Sequence, residues 1–245
     1  MPNVTPRTVV CSDDHAFAST GAGLIAQALL DAIHSNGRAS IALAGGSTPG
    51  AAYRRLATLA LPWNDIDFFF GDERAVPPSD HHANHRAIGK ALFEPAGVPA
   101  GNVHRPESDA LDLDAAATAY EDVIRAAVPT RSTDPIPHLD LVLLGMGGDG
   151  HTASLFPRQP AVDEEVRLFV ATGGGDPVDR RLTMTFPLIN GADRVIVLAT
   201  GEKKAALVRS VLHRSAEAEA LPISRVAPVR GELAWLLDAA AASQL

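Results

Sequence analysis

The sequence predicts a single α/β domain with a Rossmann-like, doubly wound and mostly parallel sheet flanked by helices. Short apolar runs alternate with alanine-rich segments of helical length along most of the 245 residues. Several runs are apolar at consecutive positions, which is typical of strands buried on both faces of a parallel sheet. Chains of this length fold routinely as one unit, so we expect one domain over residues 1–245.

The first part of the chain predicts three strands, at residues 8–11, 39–44 and 66–70. A long helix should follow the first strand, because residues 12–14 (Ser-Asp-Asp) offer an N-cap and an acidic first turn. Asn36-Gly37 should close this helix just after Ser35.

A second helix should run to about Ala60, capped by Ser47 or Thr48, because Pro49 suits a first helical turn. Residues 71–83 are polar and contain prolines, so they predict a loop. Further helices are expected over residues 84–93 and 112–127, and the three prolines of residues 129–137 predict a connector.

In the second half, strands are expected at residues 139–144, 166–171 and 194–199, and helices at about 202–213 and 231–241. Ligands of open α/β sheets bind beyond the carboxyl ends of the strands. The polar segments that follow strand ends should therefore converge on one crevice: residues 45–50, 71–74, 145–152 and 200–204.

Composition excludes several classes of function. The formal net charge of −8 argues against a nucleic-acid partner, although local arginines leave an anionic small molecule open. The single cysteine, Cys11, allows no intrachain disulfide and reads as a small buried apolar residue. Neither a signal-peptide pattern nor a membrane span is apparent, so we expect a cytoplasmic protein.

The glycine-rich segment at residues 45–50 (Gly-Gly-Ser-Thr-Pro-Gly) lies between a predicted strand and a predicted helix. Gly46 lets the backbone approach an anion, the helix start offers free N–H groups, and Ser47 and Thr48 add hydroxyls. This is a candidate phosphate site, although no Walker lysine follows. The alternative is an ordinary capped turn.

The segment Gly145-Met-Gly-Gly-Asp-Gly150 matches the dinucleotide pattern G-x-G-x-x-G. It lies late in the chain, and no acidic residue ends the following predicted strand, where a ribose hydroxyl would bind. We therefore expect no nicotinamide cofactor at this loop.

The same loop ends in Asp149-Gly-His151, where a carboxylate lies two residues from an imidazole. Asp149 can orient His151, and an imidazole can take a proton from water and return it to a leaving oxygen. In the alternative interpretation, Asp149 caps a short helix at residues 152–155 and His151 only packs.

Other polar residues allow weaker inferences. Arg74 can bind a phosphate or carboxylate with its planar fork, whereas Asp72 beside it can equally be a solvated loop charge. His81 and His85 are four residues apart, but with only Asp80 as a neighbouring ligand we interpret them as surface histidines and expect no metal. No Gly-x-Ser-x-Gly motif supports a serine hydrolase.

Taken in order, these segments resemble the 6-phosphogluconolactonase family over nearly the whole chain. The resemblance rests on residues 44–49, 72–77, 84–86, 144–157, 181–187, 201–205 and 231–235. The related glucosamine-6-phosphate deaminases have Asp-Glu-Tyr where this chain has Asp72-Glu-Arg74. They continue from Gly-His into Ile-Ala-Phe-Asn-Glu-Pro, where this chain has residues 152–157 (Thr-Ala-Ser-Leu-Phe-Pro).

The resemblance implies hydrolysis of 6-phospho-D-glucono-1,5-lactone to 6-phosphogluconate, the second step of the oxidative pentose phosphate pathway, without metal or organic cofactor. It implies His151 as the general base and Asp149 as its orienting group. The implied substrate-binding residues are Gly46, Ser47, Thr48, Asp72, Arg74, Arg181 and Lys204. Among them Arg74 and Lys204 would hold the phosphate, and Arg181 is a further phosphate candidate. Lys204 is preferred over Lys203 because it directly precedes Ala205.

Two alternatives remain open: an amino-sugar-phosphate deaminase and a non-catalytic sugar-phosphate sensor. Sensors of this fold normally carry a DNA-binding module, for which we expect no room before Val9. The only partner we expect is the small sugar phosphate, with no nucleic acid and no membrane. We expect a monomer, with a weak dimer as the alternative.

Overall fold

The computed structural model describes residues 6–131, 134–173 and 179–245, without the side chains of residues 131 and 134. The strands of these ranges are β1 (Arg7–Cys11), β2 (Ala39–Leu43), β3 (Ile66–Phe70), β4 (Asp72–Arg74), β5 (Thr130–Arg131), β6 (Asp134–Pro137), β7 (Leu141–Gly145), β8 (Phe169–Thr172), β9 (Arg181–Met184), β10 (Arg194–Ala199) and β11 (Glu232–Asp238). The α-helices are α1 (Asp14–Asn36), α2 (Ser47–Leu56), α3 (Asn84–Ile88), α4 (Glu94–Ala96), α5 (Leu113–Ala127), α6 (Phe186–Gly191) and α7 (Ala205–Leu212).

The central sheet has six strands in the order β1-β11-β10-β7-β2-β3, and every neighbouring pair is parallel. Strands β4, β9 and β8 form a separate antiparallel sheet. Strands β5 and β6 pair within the predicted connector, whose residues 132 and 133 lie outside the described ranges. The doubly wound, mostly parallel fold is thereby confirmed.

Both faces of the central sheet are covered by helices, which explains the consecutive apolar residues of its strands. In β7, Leu141 and Leu143 belong to the apolar cluster that includes α1 and α2. Val142 and Leu144 belong to the cluster on the other face, with α5, α6 and α7. Each apolar side chain buried in this way contributes about 1.5–3 kcal/mol.

Helix α1 begins and ends as the sequence predicts. The Asp13 side chain accepts a hydrogen bond from the Ala16 amide (2.8 Å), and Gly37 ends the helix with φ of 79°. By length and composition alone α1 could cross a membrane, although we expected no such segment. Its buried residues, among them Ile25 and Leu29, pack in the core of the domain.

The prediction of a helix at residues 231–241 is wrong, because Glu232–Asp238 forms β11 between β1 and β10. Leu233, Trp235 and Leu237 enter one apolar cluster and Leu236 enters the other, so the sheet buries alternate residues on opposite faces. The alanines that follow suggested a helix. Burial between two strands overrides that local propensity.

Four smaller predictions differ from the structure. Residues 72–74, predicted as loop, form β4, and the run at residues 166–171 yields only the four-residue strand β8 of the small sheet. Helix α2 ends at Leu56, and Gly46 precedes it without a side-chain cap. The predicted helix at residues 84–93 comprises α3 and a π-helical segment, Gly89–Phe93.

Candidate active site

The polar segments that follow β2, β3, β7 and β10 meet at one end of the central sheet, around a cavity of about 220 Å³. Eight of the nine predicted site residues line this cavity; the exception is Asp149, which contacts His151. The eight are Gly46, Ser47, Thr48, Asp72, Arg74, His151, Arg181 and Lys204. The structure thus brings together the segments that were expected to converge.

His151 and Asp149 form a close pair at the cavity. Oδ1 of Asp149 lies 2.5 Å from Nδ1 of His151 and also accepts a hydrogen bond from the His151 amide at 3.1 Å. Burial opposes ionisation of Asp149, but these hydrogen bonds outweigh it and lower its pKa below the usual value. Because an ionised carboxylate can only accept, the Nδ1 proton donates to it and Nε2 of a neutral ring is left without a proton.

The helix-capping interpretation of Asp149 is wrong. Residues 152–155 form a turn with a single bridge between Thr152 and Leu155 instead of a helix. The loop is fixed on its other side by the amide of Ile223, which donates to the carbonyl of Gly150 (3.0 Å). Gly150 has φ of 81° and a Cβ there would be 3.0 Å from Leu221, so a glycine is required.

Phe156 connects His151 to one of the arginines. Its ring centroid is 4.5 Å from that of His151 and 5.5 Å from the Cζ atom of Arg181. A guanidinium at this distance over an aromatic ring gains a cation–π interaction. Sequence reasoning did not identify Phe156 as a site residue, because an aromatic residue near the end of an apolar stretch is more often core.

Arg74 and Arg181 are directly opposite each other in the antiparallel pair β4–β9. Burial lowers the pKa of Arg181, and the charge of Arg74 lowers it further. Like charges at opposed positions destabilise a sheet, so this arrangement favours an anion between or beside them. The Nε atom of Arg74 is buried without a hydrogen-bond partner among the described residues.

Asn84 fixes the guanidinium of Arg74 and was missed as a functional residue. Its side-chain oxygen accepts from Nη1 of Arg74, and its Nδ2 donates to the carbonyl and Oδ1 of Asp72. A Cβ on Gly45 would lie 2.0 Å from this oxygen, so the glycine is needed for Asn84 to fit. The available signal in the sequence was that Asn84 lies in one of the segments that carry the family resemblance, residues 84–86, whereas its approach to Gly45 is visible only in the structure.

Asp72 is buried and serves the architecture of the site. Its Oδ2 accepts from the Ser154 hydroxyl (2.6 Å), and its other oxygen accepts from Asn84. The neighbouring Glu73 accepts from the amides of Asn84 and His85, both at 2.7 Å, at the start of α3. Burial raises the pKa of Glu73. The hydrogen bonds of Asp72 and Glu73 therefore fix β4, the strand that contains Arg74, relative to Ser154 and the start of α3.

Helix α2 and Lys204 form a second electropositive side of the cavity. Gly46 has φ of 93°, and the first turn of α2 has no side-chain cap. Thr48 is hydrogen-bonded to Thr200 at 3.1 Å. Burial lowers the pKa of Lys204, and the charge of Asp238 partly opposes this effect. Lys203 is exposed and does not line the cavity.

The histidines of the 75–83 segment lie outside the cavity. Helix α3 begins at Asn84, so His81 precedes it and does not share a helical face with His85. In the part of the chain that the structure describes, Asp80, His81 and His82 are one group with the spacing of metal ligands. Both histidines are exposed, and Asp80 already accepts from the His82 amide (2.8 Å).

The fold and the cavity define an α/β enzyme in which His151, paired with Asp149, lines a crevice that also contains two arginines and a lysine. The family model described as glucosamine-6-phosphate isomerases/6-phosphogluconolactonase matches residues 12–235. The 6-phosphogluconolactonase of Nostoc sp. is 40% identical over 239 residues, covering 96% of this chain and 97% of the relative.

Solved structures agree. The 6-phosphogluconolactonase of Trypanosoma brucei is 28% identical, with a TM-score of 0.87 over 99% of this chain and 100% of that one. A monomeric glucosamine-6-phosphate deaminase is 23% identical with a TM-score of 0.80 over 98% and 100%, which shows a common fold alone. The chain therefore belongs to the glucosamine-6-phosphate isomerase/6-phosphogluconolactonase family, on its lactone-hydrolysing branch.

Proposed function

We propose that this protein hydrolyses 6-phospho-D-glucono-1,5-lactone to 6-phospho-D-gluconate in the oxidative pentose phosphate pathway, with the whole chain 1–245 acting as one domain. The observation that carries the proposal is the His151–Asp149 pair at a cavity that also contains Arg74, Arg181 and Lys204. A single base beside several cations suits a phosphorylated ester that needs water activated at one end and its phosphate held at the other.

In the proposed mechanism His151 acts as general base. Nε2 takes a proton from the attacking water, and the protonated ring then donates it to the departing ring oxygen, which becomes the C5 hydroxyl. Asp149 holds the ring through Nδ1 and balances the positive charge of the imidazolium. A positioned base contributes about 10²–10⁴-fold to the rate.

Arg74 and Lys204 are the proposed phosphate ligands, with Gly46, Ser47 and Thr48 shaping the pocket at the start of α2. Holding the phosphate fixes the lactone carbonyl relative to His151, so binding energy from a remote group contributes to the rate. Because the lactone is already an activated ester, the proposed reaction needs no metal or organic cofactor.

The working unit that we propose is a monomer, with a weak dimer as the alternative. We propose a cytoplasmic location, where the sugar phosphate would be available. Light scattering over a range of protein concentrations would separate monomer from dimer.

A coupled assay with fresh 6-phosphogluconolactone tests the activity, with 6-phosphogluconate dehydrogenase reporting product above the spontaneous rate. We expect rapid hydrolysis that is unchanged by a chelator. The deaminase alternative predicts ammonia release from glucosamine 6-phosphate, and the sensor alternative predicts binding without turnover. Hydrolysis at the spontaneous rate would reject the proposal.

A further inference from the structure

We propose that Arg181 contacts the carbonyl oxygen of the lactone and stabilises the negative charge that develops there when water attacks. This role rests on the lactonase function proposed above and adds a catalytic residue to it.

The position of Arg181 relative to the base carries the inference. Both Arg181 and His151 contact the ring of Phe156. The Cζ atom of Arg181 is 5.5 Å from the centroid of this ring, and the ring centroid of His151 is 4.5 Å from it. Both also line the cavity. A base that activates water must lie next to the carbonyl carbon, and we therefore assign the carbonyl oxygen to the side of the cavity where Arg181 and His151 share Phe156 as a neighbour.

Arg74 is directed toward the other side of the cavity. Its Nη1 donates to the Asn84 side chain and to the carbonyl of His82 (2.7 Å), and Asn84 in turn lies against Gly45. Gly45 begins the segment that contains the proposed phosphate cradle. Although Arg74 and Arg181 are opposite each other in β4–β9, their surroundings assign them to different ends of the substrate.

The guanidinium of Arg181 is available for a ligand. Among the described residues it has no salt bridge and no side-chain hydrogen bond, and its contact is with the face of Phe156. It is half-buried. Burial and then the charge of Arg74 lower its pKa, while Asp72, Asp179 and Glu73 partly oppose this effect. An anion formed beside Arg181 would relieve this repulsion, and interactions are stronger where water is partly excluded.

The reaction step is balanced by these groups. The oxygen of water bonds to C1 as His151 takes one of its protons, and the π electrons of the carbonyl move to its oxygen, which becomes the oxyanion beside Arg181. The oxyanion then re-forms the C=O bond, the bond from C1 to the ring oxygen breaks, and His151 returns the proton to that oxygen. The resulting carboxylic acid loses its proton to solvent. Arg181 thus interacts more strongly with the transition state than with the neutral lactone.

The test compares R181Q, R181K and R74Q in two measurements. The first is the kcat and KM of hydrolysis of the phosphorylated lactone. The second is calorimetric binding of 6-phosphogluconate, which has a carboxylate at C1, and of glucitol 6-phosphate, which has the same phosphate and a hydroxyl at C1. The binding measurement does not depend on turnover, so it tests Arg181 even if the proposed activity fails.

For R181Q we expect kcat to fall by about 10²-fold with KM changed less than a few-fold, as for the loss of one oxyanion donor. R181K should have a higher kcat than R181Q, because lysine keeps the positive charge although it lacks the planar guanidinium and its paired donors. R181Q should weaken 6-phosphogluconate binding and leave glucitol 6-phosphate binding unchanged, whereas R74Q should weaken both equally.

Equal weakening of both ligands by R181Q, with kcat unchanged, would assign Arg181 to the phosphate and overturn the proposal. Absence of any effect of R181Q and R181K would also overturn it. Removing one of two opposed like charges should not impair folding. If R181Q is nevertheless unfolded, the ratio of the two binding constants in R181K decides between the carboxylate and the phosphate role.

Discussion

The imidazole of His151 occupies the space that a side chain at Gly147 would fill. A Cβ on Gly147 would lie 2.2 Å from both Nδ1 and Cε1 of the ring and 2.8 Å from Oδ1 of Asp149. The Gly147 amide also donates to the carbonyl of His151 at 2.9 Å. A glycine in the dinucleotide-like pattern therefore makes room for the proposed base, where a nucleotide-binding loop would use it to approach a pyrophosphate.

Gly147→Ala should abolish most of the activity, because the methyl group displaces the ring of His151 or breaks its bond to Asp149. Gly148→Ala is the matched control, since a Cβ at Gly148 has no atom within 4 Å and the residue has no positive φ. We expect kcat to fall by at least about 10²-fold in the first variant, the value of a positioned base, and to stay near wild type in the second. Similar activities for the two variants would mean that this ring position is not the catalytic one.

The fold was largely predictable because its buried parallel strands are continuous apolar runs with polar segments after them. The errors have physical causes. Strand β11 lies next to alanines that favour a helix, and only its place between β1 and β10 decides the outcome. The short strands β4 and β9 are formed by pairing with distant residues, which a local pattern does not contain.

His151→Asn should remove the proposed base without adding volume. We expect kcat to fall by about 10²–10⁴-fold with KM nearly unchanged, because the phosphate ligands remain. Asp149→Asn should lower kcat by a smaller factor, since the amide cannot balance the charge of the imidazolium. Steady-state kinetics of the two single variants and the double variant check this. If the loss of kcat in the double variant equals the product of the two single losses, His151 and Asp149 do not act as a coupled pair.

The acid side of the pH profile provides a further check on Asp149. Its pKa is lowered in the folded protein, so its favourable interaction with His151 is present above the ordinary aspartate range and is lost as the pH falls through the lowered value. In wild type, the hydrogen bonds between Asp149 and His151 should therefore persist down to pH values at which a free aspartate is already protonated. The chemical shifts of the His151 ring in a pH titration would report this.

Arg74→Ala should act on binding of the phosphorylated substrate. Hydrogen bonds to charged groups are worth about 1.5–3 kcal/mol, which corresponds to a roughly ten- to hundred-fold rise in KM. Unphosphorylated glucono-1,5-lactone should be affected little, and Arg55→Ala, at an exposed arginine outside the cavity, should change neither. Equal losses on both lactones would reject the phosphate role of Arg74.

The residue types of the candidate site could be predicted, but their supporting contacts could not. His151, Arg74 and Lys204 follow strand ends, where chemistry is expected in this class of fold. Asn84 and Phe156 act through contacts with residues from other elements, and their own sequence neighbourhoods contain no sign of this. Asp238, at the end of β11, was inaccessible to prediction because its strand was taken for a helix.

Lys204 and Asp238 allow a prediction of how phosphate binding depends on pH. Burial lowers the pKa of Lys204, and the charge of Asp238 partly opposes this, so the lysine loses its charge below the ordinary lysine range. The affinity for 6-phosphogluconate should therefore decline as the pH rises through that lowered value. Lys204→Arg should abolish the decline, because a guanidinium stays charged, and Lys203→Ala should leave it unchanged.

Asp238→Asn should move this decline to lower pH, because the variant loses the negative charge that supports protonation of Lys204. The substitution can keep the local structure: Oδ1 of Asp238 already accepts from the amides of both Gly201 (3.1 Å) and Ala241 (2.6 Å), and an asparagine oxygen can do the same. Calorimetric titrations of 6-phosphogluconate from neutral to alkaline pH measure the shift. If the affinity of Asp238→Asn declines at the same pH as that of wild type, or at a higher pH, Asp238 does not support the charge of Lys204.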